Sequence, residues 1–365
     1  MTFLVIIFIL ILVHELGHFF AAKRYGVWVE EFGLGIPPKI IGKKIGETIY
    51  SLNLFPFGGF VRLHGEQTED NITKPKRAFI NQSKKVKTKI ILAGVLMNFL
   101  LAIVAFAIVY TKNGIPRQSD KVLVTQITEN SPAFNAGIKP DDVVKKVNDV
   151  EIATVDHFIS EVDKFKGKEV TLSLQRQNQD QLEEVTLIPR ESPPEGEGPL
   201  GVAIVNPYEF YFPPLWQRPF IGIYYGFREA IVWGLAIIAG LFTLVKNLLT
   251  GTIPEGIGGP VTIFALSQKT VSLTERLNLL AFVSVNLAII NILPIPAVDG
   301  GRLFFIFMEK LTGKKVKPKI EASIHLAGIV ILLSFLVLVT FKEIRMIRNL
   351  GIDGYIQYLT ELQGE

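Results

Sequence analysis

The sequence predicts a mainly α-helical polytopic membrane protein, with four transmembrane helices and a small α+β domain inserted between the second and the third. Three observations predict this fold class. Apolar residue types make up 49% of the 365 residues, and the mean hydropathy is +0.36. Four stretches approach the length of about 20 apolar residues that a bilayer requires. Basic and acidic blocks alternate between these stretches. The apolar content also excludes a disordered chain.

The four stretches carry almost no charge and have the lengths of membrane-spanning helices: Phe3–Ala22, Ile90–Thr111, Leu277–Val298 and Ala322–Phe341. The first could be mistaken for a signal peptide. It has no basic residue before the apolar run and no small-residue cleavage site after it, so we interpret it as a retained helix.

The distribution of charge predicts the topology. Residues 23–89 hold 13 Lys and Arg against 6 Asp and Glu, and residues 302–319 hold 6 against 1, whereas residues 113–219 hold 11 against 17. Because basic loops stay on the cytoplasmic side, four spans place both basic blocks inside, the acidic block outside and both termini outside. The alternation indicates topology and not a nucleic-acid-binding surface.

A fifth apolar segment, Phe220–Val245, is interrupted by Arg228 and Glu229, which leaves only 16 uncharged residues at 230–245. A fifth span would put the two basic blocks on opposite sides of the membrane. The positive-inside rule therefore favours residues 220–249 as an interfacial or re-entrant helix.

These features divide the chain into four parts. Residues 1–112 form an N-terminal membrane half, and residues 113–205 form the outer domain. Residues 206–276 form a linker with the interfacial helix, and residues 277–365 form the C-terminal membrane half.

Within the outer domain, strands are predicted at 122–127, 170–174 and 183–188, a hairpin turn at Asn148-Asp149 and a helix at 156–165. This order resembles a circularly permuted PDZ domain of the kind found in bacterial proteases, as does the pattern ITENSPAFNAGIKPDDVVKKVNDVEI at 127–152. The resemblance implies a module that binds the C-terminus of a peptide.

The first span contains a metal-binding pattern. His14-Glu15-Leu16-Gly17-His18 matches HExxH. Residues four apart share a face of a helix, so the two imidazoles can bind one Zn²⁺ while Glu15 reaches a metal-bound water. A charged group at the centre of a span costs about 2.5 kcal/mol or more, and ionisable residues there therefore indicate function.

A zinc ion at this helix needs a further ligand. The chain has no Cys, so any metal is held by His and carboxylate groups. Asp299 is the strongest candidate, although it could instead cap the third span. It follows that span in the segment NILPIPAVDGG, whose two prolines break the helix. The first and third spans run in the same direction, which places Asp299 at the depth of His14 and His18.

The three remaining histidines are weaker candidates. We expect His157 to lie on the surface of the outer domain and His64 to have a structural role in the cytoplasmic loop. His325 opens the fourth span and could approach the site from its inner end.

Five motifs, in order, resemble the site-2 protease family of zinc intramembrane metalloproteases, and in particular the bacterial regulator-of-sigma-E type with a PDZ domain. They are HELGHFFAAKRYGVWVEEFGLGIPPKI (14–40), FPFGGFVRLHGE (55–66), AGVLMNFLLA (93–102), IGGPVTI (257–263) and NILPIPAVDGG (291–301). Together they extend over nearly the whole chain.

The resemblance implies a zinc site and a catalytic base. It implies that His14, His18 and Asp299 bind Zn²⁺ and that Glu15 is the general base. One departure is Arg302, which stands where the family often has His. Another is the single PDZ domain, since gammaproteobacterial members carry two.

The resemblance also implies how substrate is held. Asn291 and Asn286 would bind the unwound substrate backbone, and Gly58, Gly59 and Phe60 would lie on a membrane-associated β-hairpin that accepts the substrate as an added strand. The substrates would be single-span membrane proteins, such as a pre-trimmed anti-sigma factor in a stress response. The enzyme would lie in the bacterial inner membrane with its PDZ domain outside, where it admits trimmed substrates.

Three other functions stay open from the sequence. The same chemistry could clear signal-peptide remnants from the membrane. A zinc transporter would need polar groups on several spans, but the second span offers only Asn98 and Thr111 as obvious ones. A non-catalytic PDZ scaffold would require a vestigial metal site, yet Glu15 is intact.

Overall fold

The computed structural model describes residues 2–66, 72–176, 181–250, 258–314, 316 and 318–361. The chain divides into two units, one formed by Met1–Asn113 with Pro214–Glu365 and the other by Gly114–Pro213. The first unit holds the apolar helices and a long β-hairpin, and the second holds most of the strands.

The α-helices among the described residues are α1 (Thr2–Arg24), α2 (Lys84–Asn113), α3 (Pro132–Asn135), α4 (Val155–Asp163), α5 (Arg218–Leu249), α6 (Pro260–Lys269), α7 (Leu273–Ile292), α8 (Asp299–Thr312) and α9 (Pro318–Glu361). The strands are β1 (Val29–Ile45), β2 (Thr48–Leu63), β3 (Ile115–Gln118), β4 (Val122–Ile127), β5 (Val143–Val147), β6 (Val150–Glu151), β7 (Val170–Gln175), β8 (Leu182–Leu187), β9 (Val202–Val205) and β10 (Tyr208–Tyr211).

Five helices among the described residues are long and apolar enough to cross a membrane: Thr2–Arg24, Lys84–Asn113, Arg218–Asn247, Leu273–Ile292 and Ile320–Leu359. The mainly helical membrane architecture is therefore as predicted. By length and composition alone, these helices include one candidate span more than the four that the sequence predicted. The additional candidate is α5, the segment that the distribution of charge assigned to the interface.

Helices α1 and α2 approach each other closely through small residues. A Cβ placed on Gly17 would lie 2.3 Å from the carbonyl oxygen of Ala93, so only glycine fits there. Small residues at such crossings let helix backbones pack tightly where lipid offers no hydrophobic driving force. The close crossing brings the HExxH face of α1 against the middle of α2.

Helix α7 packs beside α1 in the same direction. Ile6 and Leu10 in the first half of α1 form one buried cluster with Leu279 and Val283 in the first half of α7. The second half of α1 and the end of α7 therefore lie at the same level, as the predicted topology requires.

Helix α5 runs antiparallel to α2. Its Gly222 abuts Thr111 near the end of α2, and its Gly226 abuts Ile103 two turns earlier. Ala230 is completely buried in a cluster with α2 and α7.

Helix α1 also runs opposite to α2, because His14 lies beside Asn98 and His18 lies beside the earlier Ile90. Helix α7, which runs in the same direction as α1, therefore runs opposite to α2 as well.

The helical part of the third span ends earlier than residue 298, the predicted end. Helix α7 stops at Ile292, because Pro294 and Pro296 cannot continue its hydrogen bonds. Ala297 then adopts φ +87°, a conformation that costs a non-glycine residue about 1–3 kcal/mol. The irregular turn delivers Asp299 to the first position of α8.

The IGGPVTI motif binds a buried carboxylate. Its first residue, Ile257, lies outside the described residues. Glu343 of α9 is 1% exposed and accepts hydrogen bonds from the backbone nitrogens of Gly259 at 2.6 Å and Thr262 at 3.1 Å. The unpaired N–H groups of a helix start attract such an anion, so the motif fixes α6 to α9.

The β1–β2 hairpin folds back on itself. Gly33 of β1 pairs with Phe60 near the end of β2 and also with Ser51 near its start. The first part of β1 therefore lies between two parts of β2. At the base of the hairpin, His64 is 1% exposed and accepts at Nε2 from the backbone nitrogen of Lys74, while its Nδ1 lies 2.6 Å from Glu30. These contacts support the structural role predicted for His64.

The second unit is built on a sheet with the strand order β8-β7-β5-β4-β9, to which β6 adds by pairing with β5. Its core is one cluster of buried aliphatic and aromatic side chains, including Val122, Leu172 and Phe158. The unit extends past residue 205, the predicted end of the outer domain, because β10 pairs with β3. His157 is half-exposed on α4.

Candidate metal centre

Three side chains from distant parts of the chain converge on one point. The Nε2 atoms of His14 and His18 lie 3.2 Å apart, and each lies 3.2 Å from Oδ2 of Asp299. The three atoms therefore form a nearly equilateral triangle. Among the described residues, these three are the group whose ligand atoms lie close enough together to share a metal ion.

The triangle has the dimensions of a tetrahedral zinc site. Ligand bonds of about 2.0–2.1 Å place neighbouring ligands of a tetrahedral ion roughly 3.3 Å apart, close to the observed 3.2 Å. Oδ2 of Asp299 is buried and has no hydrogen-bond partner among the described residues. A buried carboxylate oxygen without a donor is costly, and a cation at the centre of the triangle would satisfy it. Two imidazoles and one carboxylate form a common catalytic zinc donor set.

A backbone contact fixes the orientation of the His18 ring. Its Nδ1 lies 2.9 Å from the carbonyl oxygen of Ile90. Because a carbonyl can only accept, Nδ1 carries the proton and Nε2 presents its lone pair to the shared point. Such contacts behind a metal-binding histidine set its tautomer and direction.

Asn98 of α2 plays the same part for His14. The side chain is completely buried, and its amide group lies 3.4 Å from Nδ1 of His14. When Oδ1 faces the ring, it accepts a hydrogen bond from a protonated Nδ1. Nε2 of His14 then presents its lone pair to the shared point.

Gly94 provides the space for both rings. A Cβ at this position would lie 2.5 Å from Nε2 of His18 and 2.8 Å from Cε1 of His14. We expect Gly94→Ala to displace both imidazoles and to weaken zinc binding by about 10-fold or more, as measured by competition with a chelator. The matched control is Gly240→Ala on α5, whose added Cβ would meet no atom within 4 Å; unchanged zinc binding in the Gly94 variant would contradict the expectation.

Glu15 lies beside the triangle in a cavity of about 420 Å³. The cavity is lined by all three candidate ligands, by residues of the hairpin and by residues from α2, α8 and α9. Gly59 of the hairpin passes so close that a Cβ there would lie 3.2 Å from Cγ of Glu15. The base and the hairpin edge are thus adjacent.

The predicted substrate-binding residues divide into two groups. Phe60 and Asn291 line the cavity, and Gly59 lies against Glu15. Gly58, with φ +127°, precedes Gly59 on the same strand. Asn286 is half-buried on α7 and is not among the described residues that line the cavity.

The cavity contains two further groups whose roles the sequence left open. Arg302 lies one helical turn beyond Asp299 on α8 and pairs with Glu66, which follows the hairpin. His325 of α9 also lines the cavity, and its Nδ1 accepts a hydrogen bond from the backbone nitrogen of Ala297. The sequence pointed to His325 because it is a histidine in an apolar span. Nothing in the sequence indicated that Arg302 pairs with Glu66.

A membrane-embedded HExxH helix that meets a distant carboxylate is the arrangement of a membrane metalloprotease. The chain matches the model of peptidase family M50 over residues 2–335. It belongs to this family, the site-2 proteases, and is a multi-pass membrane metalloprotease.

Curated relatives match this chain over most of its length and over most of their own. A Clostridium perfringens protein is 34% identical over 342 residues, which cover 92% of this chain and 95% of its own. Zinc metalloprotease RasP of Oceanobacillus iheyensis is 28% identical over 429 residues, covering 94% of this chain and 98% of its own. Regulator of sigma-W protease RasP of Bacillus subtilis is 27% identical over 430 residues, covering 94% and 97%.

Proposed function

We propose that this protein is a zinc-dependent intramembrane endopeptidase that cleaves the transmembrane segment of single-span membrane proteins. The observation that carries the proposal is the 3.2 Å triangle of His14, His18 and Asp299, with Glu15 in the same cavity. A pre-trimmed anti-sigma factor fits this substrate class, and the Bacillus subtilis relative is named as a regulator of sigma-W protease.

The catalytic roles follow from position. When bound, zinc supplies a Lewis acid that polarises a carbonyl and lowers the pKa of a coordinated water to about 7. His14, His18 and Asp299 would hold the ion. The Glu15 carboxylate takes the proton of the attacking water and delivers it to the leaving nitrogen of the cleaved peptide.

The hairpin offers hydrogen-bond partners to the backbone of a substrate that is unwound in the membrane. A substrate helix must open to expose its peptide bond, and each freed backbone group costs several kcal/mol if it finds no partner. The segment 58–60 of β2 pairs with β1 along one edge. Its other edge can accept the substrate as an added strand, beside Glu15. The amide of Asn291 in the cavity supplies a further partner.

The second unit acts as the filter for substrates. Strand β9 is an edge strand of its sheet and directly follows Gly201, whose φ is +71°. A peptide C-terminus can add to such an edge, as in PDZ domains. We therefore assign the outer PDZ-like unit the role of admitting substrates whose outer portion has been removed.

The packing directions support four spans. Helices α5 and α7 both run opposite to α2. Consecutive membrane spans of one chain cross the bilayer in opposite directions, so α5 and α7 cannot be consecutive spans. The chain must therefore return to the outer side before α7 begins, which makes α5 a re-entrant helix. Both termini then lie outside, as the positive-inside rule requires.

Single cysteines test this topology directly, because the natural chain contains none. Gln268→Cys precedes α7, and Lys310→Cys lies in the basic block near the end of α8; both positions are exposed. Four spans predict that a membrane-impermeant maleimide labels Gln268→Cys in intact cells and labels Lys310→Cys only after permeabilisation. The reverse pattern would establish five spans.

Reconstitution tests the proposed reaction. The purified protein in liposomes is expected to cleave a co-reconstituted single-span reporter within its transmembrane segment, to stop when zinc is chelated and to resume when zinc is restored. Cleavage that persists without metal, or none at full zinc occupancy, would contradict the proposal.

A further inference from the structure

His325 packs on the turn that carries Asp299. Its Nδ1 lies 3.0 Å from the backbone nitrogen of Ala297. Its ring covers Gly301, where a Cβ would come within 3.2 Å of Cε1. One helical turn further along α9, Gly328 abuts Pro296. The start of α9 is therefore fitted closely to the loop between α7 and α8.

The contact with Ala297 fixes the protonation of the His325 ring. A backbone N–H can only donate, so Nδ1 must accept with its lone pair. A neutral imidazole has one proton, which then lies on Nε2. His325 thus presents an N–H donor from the far side of its ring.

That donor has no acceptor in the part of the chain that the structure describes. Nε2 of His325 is buried and without a hydrogen-bond partner among the residues the structure describes. The side chain lines the same cavity as Glu15 and Asn291. A buried donor left unpaired is costly and uncommon in native proteins, so its acceptor is expected to arrive with a ligand.

We propose that the Nε2–H of His325 donates a hydrogen bond to a backbone carbonyl oxygen of the substrate, next to the peptide bond that is cleaved. The inference rests on the proposed function. A substrate segment unwound in the cavity has carbonyl groups that have lost their helical partners. The guanidinium of Arg302, which also lines the cavity, is already paired with Glu66.

Two substitutions separate this role from support of the Asp299 turn. The side-chain oxygen of Asn in His325→Asn can take the place of Nδ1 and still accept from Ala297, but no donor remains at the position of Nε2. The amide nitrogen of Gln in His325→Gln reaches the position of Nε2 and donates there, but the contact with Ala297 is lost.

We expect His325→Asn to keep its zinc and to raise KM about 10- to 100-fold, with kcat largely retained, because a contact present in both ground and transition states is removed. His325→Gln should keep a KM near the wild-type value but lose zinc more readily to a chelator. In the Glu15→Gln background, which holds uncleaved substrate, His325→Asn should weaken substrate binding by the same factor as it raises KM.

The control is His157→Asn on the half-exposed surface of the second unit, which should alter neither value. An unchanged KM for His325→Asn, with unchanged binding in the Glu15→Gln background, would overturn the inference and leave the proposed function intact. A wild-type protein that fails to cleave at full zinc occupancy would overturn both. Zinc loss in His325→Asn equal to that in His325→Gln would reduce His325 to a structural contact.

Discussion

A Glu15→Gln variant is expected to keep its zinc and to lose cleavage of a single-span reporter, with kcat falling by about 100-fold or more. Glutamine preserves the size of the side chain beside Gly59 but cannot take a proton from water. Because Glu15 is not one of the three triangle residues, metal binding should not depend on its charge. The measurement combines single-turnover cleavage in liposomes with elemental analysis of the same sample.

The matched control is Glu229→Gln. Glu229 is a second carboxylate on an apolar helix, where its Oε1 accepts a hydrogen bond from Trp233 at 3.1 Å, and it does not line the cavity. Glutamine can still accept that bond, so the control should cleave normally. Unchanged turnover in the Glu15 variant would remove this residue from the mechanism.

An Asp299→Ala variant is expected to lose zinc, and cleavage with it. The substitution removes one of three protein ligands and leaves two imidazoles on one helix. Loss of a contact behind a ligand typically weakens metal binding 10- to 100-fold, and loss of the ligand itself should weaken it further. Elemental analysis after gel filtration in a weak chelator measures the effect.

Asp353→Ala is the matched control, because Asp353 is an exposed carboxylate near the end of α9 that pairs with Lys269. It should purify with the zinc content of the wild type. Full zinc occupancy in the Asp299 variant would show that another group completes the site.

The site chemistry was accessible from the sequence because it depends on short-range spacing and on the cost of burial. His14 and His18 are four residues apart, so any helix places them together. The prolines around Asp299 predicted an irregular turn at the right depth. The structure adds the convergence itself, with a common ligand separation of 3.2 Å.

The contacts behind the ligands could not be predicted, because they join residues far apart in sequence. The carbonyl of Ile90 and the amide of Asn98 reach the histidines only because α1 and α2 cross at Gly17. The contact of His325 with Ala297 likewise depends on how α9 packs on the turn. Spacing along one helix carries no information about such crossings.

Helix α5 shows that length and composition alone do not decide whether a helix spans the membrane. Its length and hydropathy match those of a span, although Arg228 and Glu229 interrupt the apolar run. The distribution of charge argued for four spans, and the packing directions of α5 and α7 argue for the same number. Charge distribution and packing direction are both independent of the hydropathy of α5, which is why the sequence could favour a re-entrant helix.

X-ray absorption at the zinc edge of the purified wild-type protein shows directly which groups bind the ion. We expect one zinc per chain, bound by two imidazole nitrogens and by oxygen at about 2.0–2.2 Å, with no sulfur. A spectrum with one imidazole or with none would contradict it, because His14, His18 and Asp299 would then not share one ion.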